Sequence, residues 1–187
     1  LESGRAVKEA SIPNFTEAFS NAFARSLGPR ILSGAGLGEI GPSDIEALKD
    51  YLPPAEALLS DVVAVPTSEI TISEKNDVAA VKKYFSDVVA VYKKNILALE
   101  KDDLVLFSEA FREDNLKKLA EIEKVIRALE QSIAEIKKMP VPRGWEEFAA
   151  TEIIFLSRIK RVAEILGRSE QDPLAALSVL KLRLELA

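Results

Sequence analysis

The chain has 187 residues, of which 48% are hydrophobic and 29% charged, with a net charge of −5 and neither histidine nor cysteine. The absence of these two residue types excludes thiol nucleophiles, Ser–His–Asp triads and the usual structural zinc sites. The acidic balance argues against nucleic acid as a partner, because nucleic-acid affinity depends on concentrated Lys and Arg.

The first predicted helix follows Pro13 and carries an apolar stripe at steps of four residues: Phe15, Phe19, Phe23 and Leu27. Side chains at this spacing lie on one side of an α-helix. Three interpretations of the stripe are open. It packs on the chain's own core, it docks onto a protein partner such as a second copy, or it rests on a membrane surface. We expect it to be the partner-binding element of an N-terminal arm.

The segment after this helix is predicted to be a connection. Residues 33–42 hold four of the eight glycines, and no Gly-Lys-Ser/Thr follows them, so they are not a phosphate-binding loop. Short helices are predicted over 43–52 and 55–64. Residues 65–72 are predicted to be an extended linker without a strand partner. The chain therefore divides into an N-terminal arm, residues 1–72, and a helical bundle, residues 73–187.

Four principal helices are predicted within the bundle. The first starts at Ser73, and the second covers about 99–111. After a break at Asp114 or Asn115, the third helix carries a heptad-like stripe: Leu119, Ile122, Ile126, Leu129, Ile133 and Ile136. The fourth follows the turn at 140–142, and a closing helix starts at Pro173 behind the capping residue Asp172.

The buried face of the long helix that ends at Gly167 is predicted from its large apolar residues: Trp145, Phe148, Phe155, Leu156, Ile159, Ala163 and Leu166. The closing helix is predicted to pack through its leucines: Leu174, Leu177, Leu180 and Leu184. The predicted fold is all-α, a helical bundle of four main helices with an N-terminal amphipathic helix as an arm.

Few residues are candidates for chemistry. Glu152 lies between Phe148 and Phe155, where an apolar setting would raise the pKa of its carboxyl group, but its position at the edge of the stripe favours a solvent-facing role. A basic cluster contains Arg158, Lys160, Arg161 and Arg168. We expect these residues to pair with acids of the same bundle rather than with a nucleic acid. No catalytic, cofactor-binding or metal-binding residue is predicted.

Four stretches of the chain, at 12–27, 65–88, 137–148 and 172–180, contain an amphipathic helix, an extended link, a Pro-Val-Pro turn and a closing helix. Their order resembles a group of uncharacterised exported helical-bundle proteins of ultra-small, reduced-genome bacteria of the candidate phyla. The resemblance implies a location outside the cytoplasmic membrane and a role beside pilus or secretion machinery. Because the chain starts at Leu1 rather than Met, we expect a signal or membrane anchor upstream.

These observations predict a non-enzymatic, extracytoplasmic structural or interaction protein that acts by helix–helix packing in a cell-surface, pilus or secretion assembly. The expected partner is a protein, through self-association, with association to a membrane as a further expectation. The alternative is a ligand-sensing or ligand-carrying bundle with an apolar pocket between its helices, beside Trp145.

Overall fold

The structure, a computed structural model, describes residues 14–26, 54–63, 66 and 69–185. This part of the chain is 73% helical with little strand, which confirms the all-α prediction. Its α-helices are α1 (Phe15–Ser26), α2 (Val78–Val91), α3 (Asp103–Arg112), α4 (Ile122–Lys137), α5 (Glu146–Gly167) and α6 (Pro173–Glu185). Short 3-10 helices span Ala55–Leu59 and Leu116–Glu121, and a π-helical turn, Tyr92–Ile96, extends α2.

The core is centred on α4, which packs along α5. The predicted stripe of this helix is confirmed, since Leu119, Ile122, Leu129 and Ile136 are each at most 4% exposed. Ile126 and Ile133 are partly buried beside them. Val125 and Ser132 are buried as well, so the covered face is wider than the stripe. Partners on two sides of α4 explain this width, because both α2 and α5 contact it.

Two short strands connect the starts of α2 and α5. Strand β1 (Ile72–Ser73) pairs in parallel with β2 (Val141–Pro142), and the Val141 amide donates to the Thr71 carbonyl at 2.8 Å. The prediction of an extended linker without a strand partner is therefore wrong. The prediction that a helix starts at Ser73 is also wrong, because α2 begins at Val78, where Asp77 accepts a hydrogen bond from the Ala80 amide.

The connections around α3 depend on acidic residues. Asp102 caps the helix by accepting a hydrogen bond from the Val105 amide at 2.8 Å. Its neighbour Asp103 is 1% exposed and accepts two hydrogen bonds from Arg183, at 3.1 and 3.2 Å, which join α3 to α6. Asp114 adopts a φ of 48°, in the left-handed region, and reverses the chain. The predicted break at this point is confirmed.

The segment before β1 shares this core. Helix α1 and the 3-10 helix Ala55–Leu59 both contact α6, and Phe15 and Leu58 are each 1% exposed within the same cluster of buried residues. The division into an arm and a four-helix bundle at residues 72 and 73 stays a prediction. The predicted helix over 43–52 and the glycine-rich residues 33–42 lie outside the described residues. The helix predicted over 55–64 is a 3-10 helix that spans Ala55–Leu59.

Candidate interaction surface

The residues of the predicted partner-binding stripe differ in how deeply the structure buries them. Phe15 is buried in the core of its own chain, whereas Phe19 and Phe23 are only partly buried. The rings of Phe19 and Phe23 are in contact, with their centroids 6.2 Å apart. Leu27 lies outside the described residues. Among the described residues of the stripe, Phe19 and Phe23 are therefore the ones whose rings are partly exposed to solvent. The role of the stripe in partner binding stays a prediction.

Helix α1 is held to the bundle at one acidic residue, Asp172. Its carboxylate accepts hydrogen bonds from the Phe15 amide at 2.7 Å, the Thr16 amide at 2.9 Å and the Thr16 hydroxyl at 2.7 Å. It also accepts a hydrogen bond from the Ala175 amide at 3.1 Å, so one side chain caps both α1 and α6. We call these contacts the Asp172 junction. A carboxylate suits this place because both helix N-termini carry partial positive charge.

A second apolar surface is formed by α2 and α5. Trp145, Phe148 and Phe155 are 36%, 38% and 36% exposed, and Val89 on α2 is 49% exposed. Phe85 lies between the two helices, with its ring centroid 4.9 Å from that of Trp145 and 5.2 Å from that of Phe148. We call these five residues the aromatic face. Exposed large apolar side chains grouped on two neighbouring helices are typical of an interaction surface.

The predicted buried face of α5 is accordingly wrong for its aromatic residues. The residues that α5 buries against α4 in this half are small or aliphatic: Ala149, Ala150, Ile153 and Leu156. Alanines allow the two helix backbones to approach closely, and the larger rings lie on the side of α5 that faces α2 and solvent. Leu156, Ala163 and Leu166 are buried as predicted. Among the α6 residues whose burial the structure describes, Ala175, Ala176 and Val179 are buried. Of the predicted leucines, Leu174 and Leu180 pack partly buried against the core, and Leu177 is 60% exposed. The side chain of Leu184 lies outside the description.

Polar groups lie beneath the aromatic face. The Tyr92 hydroxyl donates a hydrogen bond to Glu152, which is half-buried. Burial, the hydrogen bond to Glu152 and the negative charge of that carboxylate together raise the pKa of Tyr92 well above its ordinary value. Burial and the charge of Glu152 also raise the pKa of Tyr84. The Tyr84 hydroxyl is buried and has no hydrogen-bond partner in the part of the chain that the structure describes.

Glu152 is thus placed by the structure as a hydrogen-bond acceptor for a tyrosine. A neutral phenol that cannot easily lose its proton holds the carboxylate in place but has little capacity to relay protons near neutral pH. Among the described residues, the hydrogen-bond partner of Glu152 is Tyr92 and not a second carboxylate.

The basic cluster pairs with acids of its own chain at two positions, as predicted. Lys160 contacts Glu130 at 2.9 Å and Glu164 at 3.1 Å. Arg161 contacts Glu164 at 3.0 Å and also pairs with Asp61 in the segment before β1. Arg158 and Arg168 are exposed. Two of the four cations are therefore engaged in holding the fold together.

Two open grooves lie away from the aromatic face. One, of about 300 Å³, runs between α4 and α5 and is lined partly by Glu123, Glu130 and Glu164. The other, of about 340 Å³, lies beside the end of the π-helical turn and includes Glu100 and Lys101. Both are lined by charged side chains as well as apolar ones. Within the described residues, no group of three or more acidic side chains has the arrangement of a metal site.

Comparison of the chain with known protein families, curated proteins and solved structures finds no match. The function is therefore proposed from the surfaces above. Sequence reasoning missed the aromatic face because it assigned the rings of α5 to the core. A signal was present in Thr151 and Glu152, two polar residues between Phe148 and Phe155 on the same side of the helix.

Proposed function

We propose that this protein is a non-enzymatic structural or interaction protein that binds a protein partner through exposed helix faces. The observation that carries the proposal is the aromatic face, on which Trp145, Phe148 and Phe155 each leave more than a third of their surface in water. Aromatic residues are enriched at protein interfaces, where burial of their large apolar area supplies much of the binding free energy.

The energetic reason is the removal of apolar surface from water. This transfer contributes about 25 cal/mol for each Å² of apolar area, before the costs of association are subtracted. Phe85 also packs edge-on against both Trp145 and Phe148, and these contacts restrict the movement of the three rings. A partner would therefore bind rings that have already lost part of their side-chain entropy in the free protein.

The stripe on α1 is part of the proposal as a second contact. Phe19 and Phe23 present partly exposed rings on a helix that the Asp172 junction fixes at its N-terminal end. They lie on a different helix from the aromatic face. The two surfaces therefore give the protein two places at which a protein partner can be bound.

The proposed setting is a cell-surface, pilus or secretion assembly outside the cytoplasmic membrane. It is supported by the resemblance of residues 12–27, 65–88, 137–148 and 172–180 to exported helical-bundle proteins. Among the described residues, no helix is long and apolar enough to cross a membrane. Fractionation of the cells that make the protein tests this part of the proposal, and recovery in the cytoplasm would contradict it.

A second candidate function is the binding of a small ligand within the bundle. The buried Tyr84 hydroxyl favours it, because an unpaired buried polar group costs about 1–3 kcal/mol and a ligand atom would satisfy it. Native mass spectrometry of the purified protein tests this candidate. A bound small molecule that is lost in Tyr84→Phe would support it, and the bare polypeptide mass would contradict it.

Site-specific photo-crosslinking tests the leading proposal. Benzoylphenylalanine is placed at Phe155 on the aromatic face, at Phe23 on α1, and at Ala134, which is an exposed position on the outer side of α4 and serves as the control. We expect discrete crosslinks to protein in the producing cells from Phe155 or Phe23. Crosslinking from both positions no stronger than from Ala134 would contradict the proposal.

A further inference from the structure

A carboxylate lies next to the rings of the aromatic face. Glu152 follows Phe148 by four residues and precedes Phe155 by three, so these two phenylalanines are its neighbours on the same side of α5. From α2, Tyr92 reaches the carboxylate and donates its hydroxyl to it. The Glu152 side chain is half-buried, so part of it is open to solvent. Three aromatic residues are therefore neighbours of an acidic group that a molecule in solution can reach.

No Lys or Arg of the described residues forms an ion pair with this carboxylate. The ion pairs of α5 in that part of the chain are made by Lys160 and Arg161, and they join other acids. The titratable groups that respond to Glu152 are Tyr92 and Tyr84, and the raised pKa of each keeps both phenols neutral at neutral pH. A neutral hydroxyl satisfies a lone pair of the carboxylate but leaves its negative charge, which is costly in apolar surroundings without a cation.

Aromatic rings and a carboxylate together recognise an organic cation. The face of an aromatic ring attracts positive charge within about 6 Å of its centroid, and the attraction grows where water is excluded. A guanidinium group suits this combination better than an ammonium group does, because it is planar, stacks on rings and donates in a fork to carboxylate oxygens. Arginine is also among the residue types that contribute most binding free energy at protein interfaces. The chemistry of the aromatic face therefore favours an arginine side chain.

We propose that the aromatic face binds an arginine side chain of a partner protein, which stacks on Phe148 and Phe155 and pairs with the carboxylate of Glu152. The proposal rests on the function proposed above and names the group that the partner inserts. The Tyr92 hydroxyl holds the carboxylate in place and leaves its other lone pairs to accept from the guanidinium group. Glu147 is exposed but lies about 140° around α5 from Glu152, so it takes no part in the contact.

Titration with N-acetyl-arginine amide tests the proposal, and N-acetyl-citrulline amide, which has nearly the same shape without the charge, is the control ligand. Trp145 is the single tryptophan of the chain and belongs to the aromatic face, so its fluorescence reports binding. We expect a saturable change with the arginine compound and about tenfold weaker binding of the citrulline compound, because the uncharged group loses both the ion pair and the attraction to the rings. Equal binding of the two compounds would overturn the proposal.

Three variants locate the binding at Glu152. Glu152→Gln should weaken arginine binding about tenfold, whereas Glu147→Gln, the loss of an exposed acid on the same helix, should leave it unchanged. Tyr92→Phe removes the hydroxyl and keeps the carboxylate, so arginine should still bind. Unchanged binding in Glu152→Gln would overturn the proposal. Equal losses in Glu152→Gln and Tyr92→Phe would also overturn it, because they would mean that the bond between these residues only maintains the fold.

Photo-crosslinking separates this inference from the proposed function. Crosslinks to protein from benzoylphenylalanine at Phe155 should become weaker in the producing cells when Glu152→Gln is added. Crosslinks that keep their full strength would show that the aromatic face binds a protein without this arginine contact. The proposed function would then stand, and the inference about arginine would be wrong.

Discussion

The hydroxyl group of Tyr92 lies between the carboxylate of Glu152 and the apolar interior. Both surroundings favour the neutral phenol, so the folded state holds this proton more tightly than the unfolded chain does. The contribution of this group to the free energy of unfolding is therefore complete at pH values below the ordinary pKa of 10.0, and it is lost as the pH rises from there through the folded pKa.

We expect Glu152→Gln to lower the pKa of Tyr92, because the substitution removes the negative charge that opposes phenolate formation. A titration followed by the ultraviolet absorbance of phenolate measures the change. Tyr92→Phe identifies the corresponding step, since that step should disappear from the titration. An unchanged step for Tyr92 in the Glu152→Gln variant would show that burial alone raises its pKa.

At the scale of the helices, the turn between α3 and α4 depends on one backbone conformation. Asp114 has a φ of 48°, which L-amino acids other than Asn and Asp rarely adopt. We expect Asp114→Ile to lower the free energy of unfolding by about 1–2 kcal/mol, because a β-branched side chain clashes with the backbone there. Urea denaturation measures this difference.

The matched variant is Asp114→Gly, which should be at least as stable as the wild-type chain because glycine reaches the left-handed region without strain. Asp114 is exposed, so neither variant disturbs the core. Equal stability of the Ile and Gly variants would contradict the expectation and would mean that the turn relaxes to a different conformation.

The buried face was predicted correctly from the sequence for some helices and wrongly for others. The stripe of α4 was predicted correctly because Leu119, Ile122, Leu129 and Ile136 all face one core. The face of α5 was not, because size and apolarity do not reveal that Ala149 and Ala150 take the buried side. Strands β1 and β2 have two residues each, too few for a periodic pattern, and their pairing arises from tertiary packing.

The candidate site was predicted in part for a similar reason. The apolar stripe on α1 was visible in the sequence, but burial of Phe15 depends on α6, whose contacts are distant in the chain. The aromatic face requires Phe85 to meet Trp145, which no local pattern indicates. Helical periodicity predicts which side chains share a face, and it does not say which of the apolar faces is left uncovered.

At the scale of the whole molecule, the Asp172 junction joins residues 157 positions apart, at the two ends of the described chain. Thr16 makes its contacts there through both its amide and its hydroxyl. The buried ion pair between Asp103 and Arg183 likewise connects α6 to a distant helix. Helix α6 is thus attached by polar contacts to α1 and to α3, which both precede it in the chain, as well as by its apolar side.

This long separation has a consequence for the order of folding. Closing a loop of this length costs chain entropy before the contacts that compensate for this cost have formed. The Asp172 junction should therefore form after the transition state for folding has been crossed. Thr16→Ala should then speed unfolding about fivefold and leave the rate of refolding unchanged. Stopped-flow measurements in urea test this, with Asp77→Ala as a local cap for comparison. A slower refolding rate in Thr16→Ala would mean that α1 docks early and guides the rest of the chain.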